Sequence, residues 1–220
     1  MSSTTEIPSY KAEQKGLVAN LESMLPPDAL TIFGADAQQL AITHTSPLKL
    51  KVGEKAPDFT LPNTLGQQVS LSSLLVQGSV VLSFYRGTWC PYCNLVLNGY
   101  QRILDKIKAK GANLVAISPQ TPDHSLSIKE KNELQFEVLS DTGNQVAKQY
   151  TAVFKNADVP VATMESLGIN FHSFYGNKSG ELPVPAVFII NQQGVVTFAA
   201  TEGGDYRERV EAQEILNALN

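Results

Sequence analysis

Val81-Leu82-Ser83-Phe84-Tyr85-Arg86-Gly87-Thr88-Trp89-Cys90-Pro91-Tyr92-Cys93-Asn94 is the stretch on which the reading of this chain turns. An apolar run of strand length, Val80–Phe84, leads through a short loop to two thiols, and a helical stretch runs from Asn94 to Lys110. Cys90 and Cys93 are the only cysteines in the chain. Unpaired N–H groups and the positive dipole end of a helix stabilise a thiolate, the reactive form of cysteine. Pro91 suits the first helical position, where its missing N–H costs nothing. That puts Cys90 at the cap, where exposure is expected, and Cys93 inside the first turn, where burial is expected. The second thiol is placed to close a redox-active disulfide with the first.

Other uses of two cysteines fit less well. A zinc site takes four ligands, and His44, His124 and His172 are scattered without ligand spacing. No metal or other cofactor is therefore expected. A structural disulfide would close a tiny loop, and the stabilisation from loop closure grows with loop length. Inert core cysteines would not explain Pro91. A CxxC beside alternating strand and helix patterns reads as a thioredoxin-like motif.

The chain has 220 residues, 43% hydrophobic and 17% charged, with a net charge of −4. That is an ordinary globular composition, large enough for one full α/β core. Mild acidity offers no basic surface for nucleic acid. No apolar run reaches membrane-spanning length, and the first residues lack the features of a signal peptide. A cytoplasmic location is expected, where a lone CxxC is more plausibly catalytic than structural.

Outward from the motif, residues 1–51 read as an N-terminal helical arm and residues 52–220 as the main domain. Tyr10–Leu25 has Leu17, Val18, Leu21 and Leu25 at helical spacing, Pro26-Pro27 interrupts, and Asp28–Thr45 suits a second helix. Such a stripe must be buried, either on its own domain, the favoured reading, or in a homodimer. Short strands are expected at Phe59–Leu61 and Gln68–Ser70. Longer ones are expected at Leu114–Ile117 and Phe136–Leu139, with helices at Asp123–Leu134 and Asn144–Tyr150. Val153–Leu182 reads as a long irregular segment. Its Phe154, Phe171, Phe174 and Tyr175 are expected to pack over the sheet, where they can roof the thiols. A hairpin of Ala186–Ile190 and Val195–Ala199 follows, then a terminal helix, Tyr206–Leu219, with Arg207 and Arg209 on a solvated face. The alternation suits a mixed sheet with helices on both faces.

Three segments carry a family resemblance: Ala56-Pro57-Asp58-Phe59-Thr60-Leu61, the Val81–Asn94 stretch, and Pro185-Ala186-Val187-Phe188-Ile189-Ile190-Asn191. Together they resemble the peroxiredoxin-like (AhpC/TSA, redoxin) branch of the thioredoxin-fold superfamily, in a subfamily with a thioredoxin-type CxxC. The resemblance implies an α/β thioredoxin-like fold of the peroxiredoxin type. It places Cys93 at the peroxidatic position, but the family's proline falls on Arg86, its threonine on Cys90 and its later-strand arginine on Pro185. Cys90 and Pro185 instead resemble thioredoxin's nucleophile and cis-proline. A cis Val184–Pro185 bond facing Cys90 is therefore expected, with the Val184 backbone open to an extended partner.

The expected function is thiol-dependent oxidoreduction by the catalytic pair Cys90 and Cys93. Its leading form is hydroperoxide reduction, recycled by thioredoxin, glutathione or another dithiol. The alternatives are dithiol–disulfide exchange on protein substrates and a redox-switched binding protein without turnover. Cys90 is expected to lead disulfide exchange and Cys93 to meet peroxide. Supporting roles fall to Arg86, through its charge, to Thr88 as a cap or hydrogen-bonding group, and to Trp89 as an apolar wall. Tyr92 is expected to face the surface toward partners, Pro91 to start the helix and Pro185 to lie beside the thiols. Asp58 reads as structural.

Overall fold

The computed structural model describes residues 7–219. Helices α1 (Tyr10–Met24) and α2 (Pro27–Thr43) come first, separated at Leu25-Pro26. Strands β1 (Thr60–Pro62) and β2 (Gln68–Ser70) pair antiparallel, and the short α3 (Leu71–Leu75) leads into β3 (Ser79–Phe84). After β3 come α4 (Pro91–Arg102), α5 (Leu104–Ala109), β4 (Ala112–Ser118), α6 (Pro122–Lys131), β5 (Glu137–Ser140) and α7 (Ala147–Tyr150). The remainder is β6 (Val153–Lys155), α8 (Asp158–Ser166), a 3-10 turn at Phe171–Phe174, β7 (Glu181–Pro183), β8 (Ala186–Ile190), β9 (Val196–Ala200) and α9 (Ala212–Ala218).

The central sheet has five strands in the order β5-β4-β3-β8-β9. β3, β4 and β5 run parallel, while β8 pairs antiparallel with both β3 and β9. Alternating residues of β3 serve two cores, as the two-residue period of a strand requires. Val81 and the following Tyr85 join Leu97, Ile103, Ile107, Ile128 and Ile215 on one face. Val80, Leu82 and Phe84 join Phe59, Leu71 and Tyr150 on the other. A third cluster unites Ala37 and Leu40 of α2 with Phe154, Met164, Phe171, Leu182, Val184 and Tyr206. The arm helices thus pack on their own chain.

Several elements differ from their sequence reading. The helix after the thiols breaks at Ile103, whose N–H bonds back to Tyr100. No glycine or proline marks that break. Val153–Leu182 is ordered rather than irregular, because β6 and β7 pair across it and α8 packs on α2. Of its aromatic residues, Phe171 and Tyr175 meet the thiol loop, Phe171 packed edge-on against Trp89, while Phe154 packs on His44 and Phe174 on His124. The terminal helix is shorter than expected. It begins after Glu211, where Glu211 and Glu214 form a reciprocal capping box. Residues 205–211 are consequently loop, and Arg207 and Arg209 are not on a helix.

Candidate active site

Strand β3 delivers the thiol loop to the end of the sheet, and the Tyr85 N–H bonds to the Ile117 carbonyl of the neighbouring strand. Cys90 is the N-cap residue of α4, with Pro91 at the first helical position. The Cys93 and Asn94 N–H groups both bond to the Cys90 carbonyl at 3.1 Å. The Asn94 side chain donates to the carbonyls of Thr88 and Cys90 at 2.7 and 2.8 Å, tying the loop to the helix. Both cysteines are free thiols.

The exposure expected of Cys90 is not found: it is 1% exposed and Cys93 is 0% exposed. Cys90 shares a buried cluster with Tyr10 of α1, Tyr85, Tyr100 and Val210, a surrounding that local sequence does not show. Cys90 does line a cavity of about 410 Å³, whose wall includes Val18, Leu21 and Leu25 of the arm together with Tyr92 and Tyr206. Tyr92 is half-buried in this wall rather than surface-facing.

Arg209 is the principal correction. Expected on a solvated face, it is 4% exposed. Its Nη2 lies 3.2 Å from the Cys93 Sγ and 4.0 Å from the Cys90 Sγ. Its Nη1 donates to the carbonyls of Tyr206 and Glu208. Arg86 is buried too. Its guanidinium carbon sits 3.8 Å from the Tyr206 ring centroid and 4.8 Å from that of Trp89, in cation–π range of both. The Arg86 Nη2 donates to Asn156 at 3.5 Å.

These charges separate the two thiols. Burial pushes Cys90 well above the ordinary thiol range, reinforced by its hydrogen bond to Cys93 and the negative charge there. Burial acts against ionisation of Cys93 as well. It is outweighed by the hydrogen bond from Cys90, by Arg209 and Arg86, and by a hydrogen bond from the Arg86 backbone, so Cys93 is held well below that range. Ionisation is therefore favoured on Cys93 over Cys90, the reverse of what cap position alone suggests.

The other expected site residues take mostly supporting positions. Trp89 Nε1 donates to the Tyr175 hydroxyl at 2.6 Å, which in turn donates to the Arg86 carbonyl at 3.1 Å. A Cβ on Gly87 would lie 2.8 Å from Trp89 Nε1, so glycine allows this close approach. Thr88 bonds to Gln120 and to the His124 carbonyl, pinning the loop rather than touching sulfur. Asp58 accepts from the Phe59 and Ser72 N–H groups, a structural role.

Pro185 is not the cis-proline of the thioredoxin analogy. No peptide bond among the described residues is cis, so the Val184–Pro185 bond is trans, and Pro185 is absent from the lining of the Cys90 cavity. The Val184 N–H bonds to the Ala152 carbonyl and its own carbonyl accepts from Thr151. That backbone is already paired and is not open to an extended partner. Sequence reasoning missed Arg209, Tyr206 and Asn156. The one signal toward Arg209 was negative, the absence of an arginine at position 185.

The AhpC/TSA family model matches residues 52–199. This chain belongs to the AhpC/TSA family. Peroxiredoxin Bcp of Escherichia coli (strain K12) is 35% identical over 101 residues, covering 46% of this chain and 64% of that protein, slightly under two thirds of the relative's length. A bcp relative from Helicobacter pylori (strain J99) is 32% identical over 148 residues, 67% of this chain and 86% of its own. Among solved folds, reduced Prx3 of Vibrio vulnificus in complex with H2O2 superposes with a TM-score of 0.62 at 22% identity, covering 78% of this chain and 99% of that one. Peroxidoxin BcpB of Mycobacterium tuberculosis gives 0.58 at 22% identity, with 77% and 96% covered. These likenesses establish the mixed α/β, thioredoxin-type peroxiredoxin fold for this AhpC/TSA member. The family match ends before Tyr206 and Arg209 and begins after both arm helices.

Proposed function

We propose that this chain is a thiol peroxidase that reduces hydroperoxides through its Cys90/Cys93 dithiol and is recycled by an external dithiol of the thioredoxin or glutathione type. The observation that carries the reading is the buried Arg209 guanidinium at 3.2 Å from the Cys93 sulfur, with the Cys90 sulfur 4.0 Å from the same nitrogen. The membership of the AhpC/TSA family and the likeness to peroxiredoxin Bcp support it. Residues 1–51 are read as an arm added to the domain of residues 52–220, a division supported by the start of the family match.

In this cycle the Cys93 thiolate attacks the terminal peroxide oxygen. The O–O bond breaks, the alkoxide leaves and takes a proton from water, and Cys93 becomes a sulfenic acid. The Cys90 sulfur then attacks Cys93, the S–S bond forms, and the hydroxyl leaves as water with the Cys90 proton. Two electrons from the recycling dithiol reopen the disulfide. Cys90 faces the cavity, which favours attack there, with Cys93 leaving as the cation-stabilised thiolate.

The same geometry favours one second reading, dithiol–disulfide exchange on protein substrates, because an incoming sulfur reaches Cys90 first. Peroxide consumption by the pure protein with thioredoxin recycling, run beside insulin reduction, separates the two. The expected result is peroxide turnover lost to background in Cys93→Ser. In Cys90→Ser, a sulfenic acid should accumulate on Cys93 after a peroxide pulse. Sulfenic acid on Cys90 alone, or insulin reduction without peroxide turnover, would reject the peroxidase.

A further inference from the structure

We propose that helix α1 is part of the redox centre: Tyr10 and Gln14 are positioning residues that hold the Arg209 guanidinium against the Cys93 sulfur. This rests on the reading of Cys93 as the reacting thiol.

Arg209 lies in residues 205–211, a loop with no helix of its own. Fixing such backbone costs conformational entropy, and a buried charge must be held against its pull toward water. The restraint comes from the arm. The Tyr10 hydroxyl donates to the Arg207 carbonyl at 2.5 Å, and Gln14 Nε2 donates to the same carbonyl at 2.7 Å and to Glu208 Oε1 at 3.2 Å. The Glu211 carboxylate accepts from the N–H groups of Tyr10 and Lys11. From the other arm helix, the Phe33 carbonyl accepts from the Tyr206 hydroxyl at 2.8 Å, and the His44 carbonyl from the Gly204 N–H at 3.0 Å. A Cβ on Gly204 would stand 2.0 Å from the Leu40 carbonyl oxygen, so this end of the segment is seated directly on α2. Arg209 completes the linkage by bonding to the carbonyls of Tyr206 and Glu208, the residues on either side of Arg207, while its other nitrogen meets the sulfur. The arm thus reaches the thiol through one stretch of backbone.

The groups that act on Cys93 come from every element around it. Cys90 and Arg86 come from the thiol loop, Arg209 from the clamped segment, and the phenols of Tyr10, Tyr85 and Tyr175 from α1, the end of β3 and the residue after the 3-10 turn. Burial holds the three phenols above their ordinary range, and they remain neutral where Cys93 ionises. Replacing Tyr10 therefore removes a hydrogen bond and no charge.

The test follows the ultraviolet thiolate absorbance of the reduced full-length protein against pH. The pH dependence of iodoacetamide alkylation, located at Cys93 by peptide mass spectrometry, runs in parallel. Tyr10→Phe with Gln14→Leu removes three hydrogen bonds to the segment and should make Cys93 ionisation about tenfold less favourable. Glu13→Ala removes the exposed α1–α4 ion pair to Arg102 and should leave the titration unmoved. In an Arg209→Met background the two clamp substitutions should add nothing further, since they act through that residue. Should the double variant fold poorly by circular dichroism, Tyr10→Phe alone gives the same reading at about a few-fold effect. An unchanged Cys93 titration in a folded clamp variant, or a full additional effect without Arg209, would overturn the proposal. Peroxide turnover is a separate readout: its absence in the wild type would reject the peroxidase and leave the titration interpretable.

Discussion

Arg86 and Arg209 bring positive charge to one dithiol by different routes. Arg86 follows β3 directly and precedes Cys90 by a short loop, so the strand that places the thiols places it as well. Arg209 lies 116 residues from Cys93 in sequence and arrives only when residues 205–211 are seated between the sheet and the arm. Their contacts differ too. The Arg86 guanidinium is held between the rings of Trp89 and Tyr206 and acts on sulfur from a distance, while its backbone hydrogen-bonds to Cys93. Arg209 donates to the sulfur itself. A charge delivered by local sequence is tolerated by aromatic faces, whereas the remote one makes a directional contact, shorter to Cys93 than to Cys90, that adds to the Cys90 hydrogen bond in favouring Cys93.

The largest expected effect is therefore at Arg209. Loss of an opposite charge in direct contact raises a thiol's pKa by about 1–3 units, so Arg209→Met should slow peroxide attack at neutral pH by about tenfold or more. The sign follows from the lowered Cys93 value. In the wild type, reactivity persists as pH falls through the ordinary thiol range and is lost only as pH falls through that lowered value. In Arg209→Met the loss should move upward toward the ordinary range. A pH–rate profile superimposable on that of the wild type would erase the distinction between the two arginines.

Arg86→Met should have a smaller effect of the same sign, about three- to tenfold, the weight of a more distant charge and its cation–π contacts. An effect exceeding that of Arg209→Met would invert the comparison. The smallest change belongs to Thr88→Val. It removes hydroxyl bonds to Gln120 and to the His124 carbonyl, at 3.1 and 3.0 Å. Thermal or urea unfolding should show a loss of about 1–2 kcal/mol, with the Cys93 titration unmoved. A shifted titration would mean that loop placement, and not charge, sets the thiol.

What the sequence determined by itself is what local chemistry encodes. Val80–Phe84 is a buried strand because its apolar run fits the two-residue period, and Pro91 starts α4 because it lacks an N–H where none is needed. The motif stretch with its flanking segments was enough to resemble the AhpC/TSA family. The tertiary structure decided which thiol carries the charge. Cap position pointed to Cys90, yet burial disfavours the anion on both sulfurs, and the balance passes to the sulfur that receives the Cys90 hydrogen bond and lies nearer Arg209. Nothing in the residues around Arg209 signals that contact, because the sulfur lies at the start of α4 and the residues that hold its loop lie in α1 and α2. The pairing of Val184 with Ala152 and Thr151, which closes the thioredoxin-like edge beside Pro185, is invisible for the same reason. Such contacts join segments far apart in the chain, and residue type and spacing carry information only about neighbours along it.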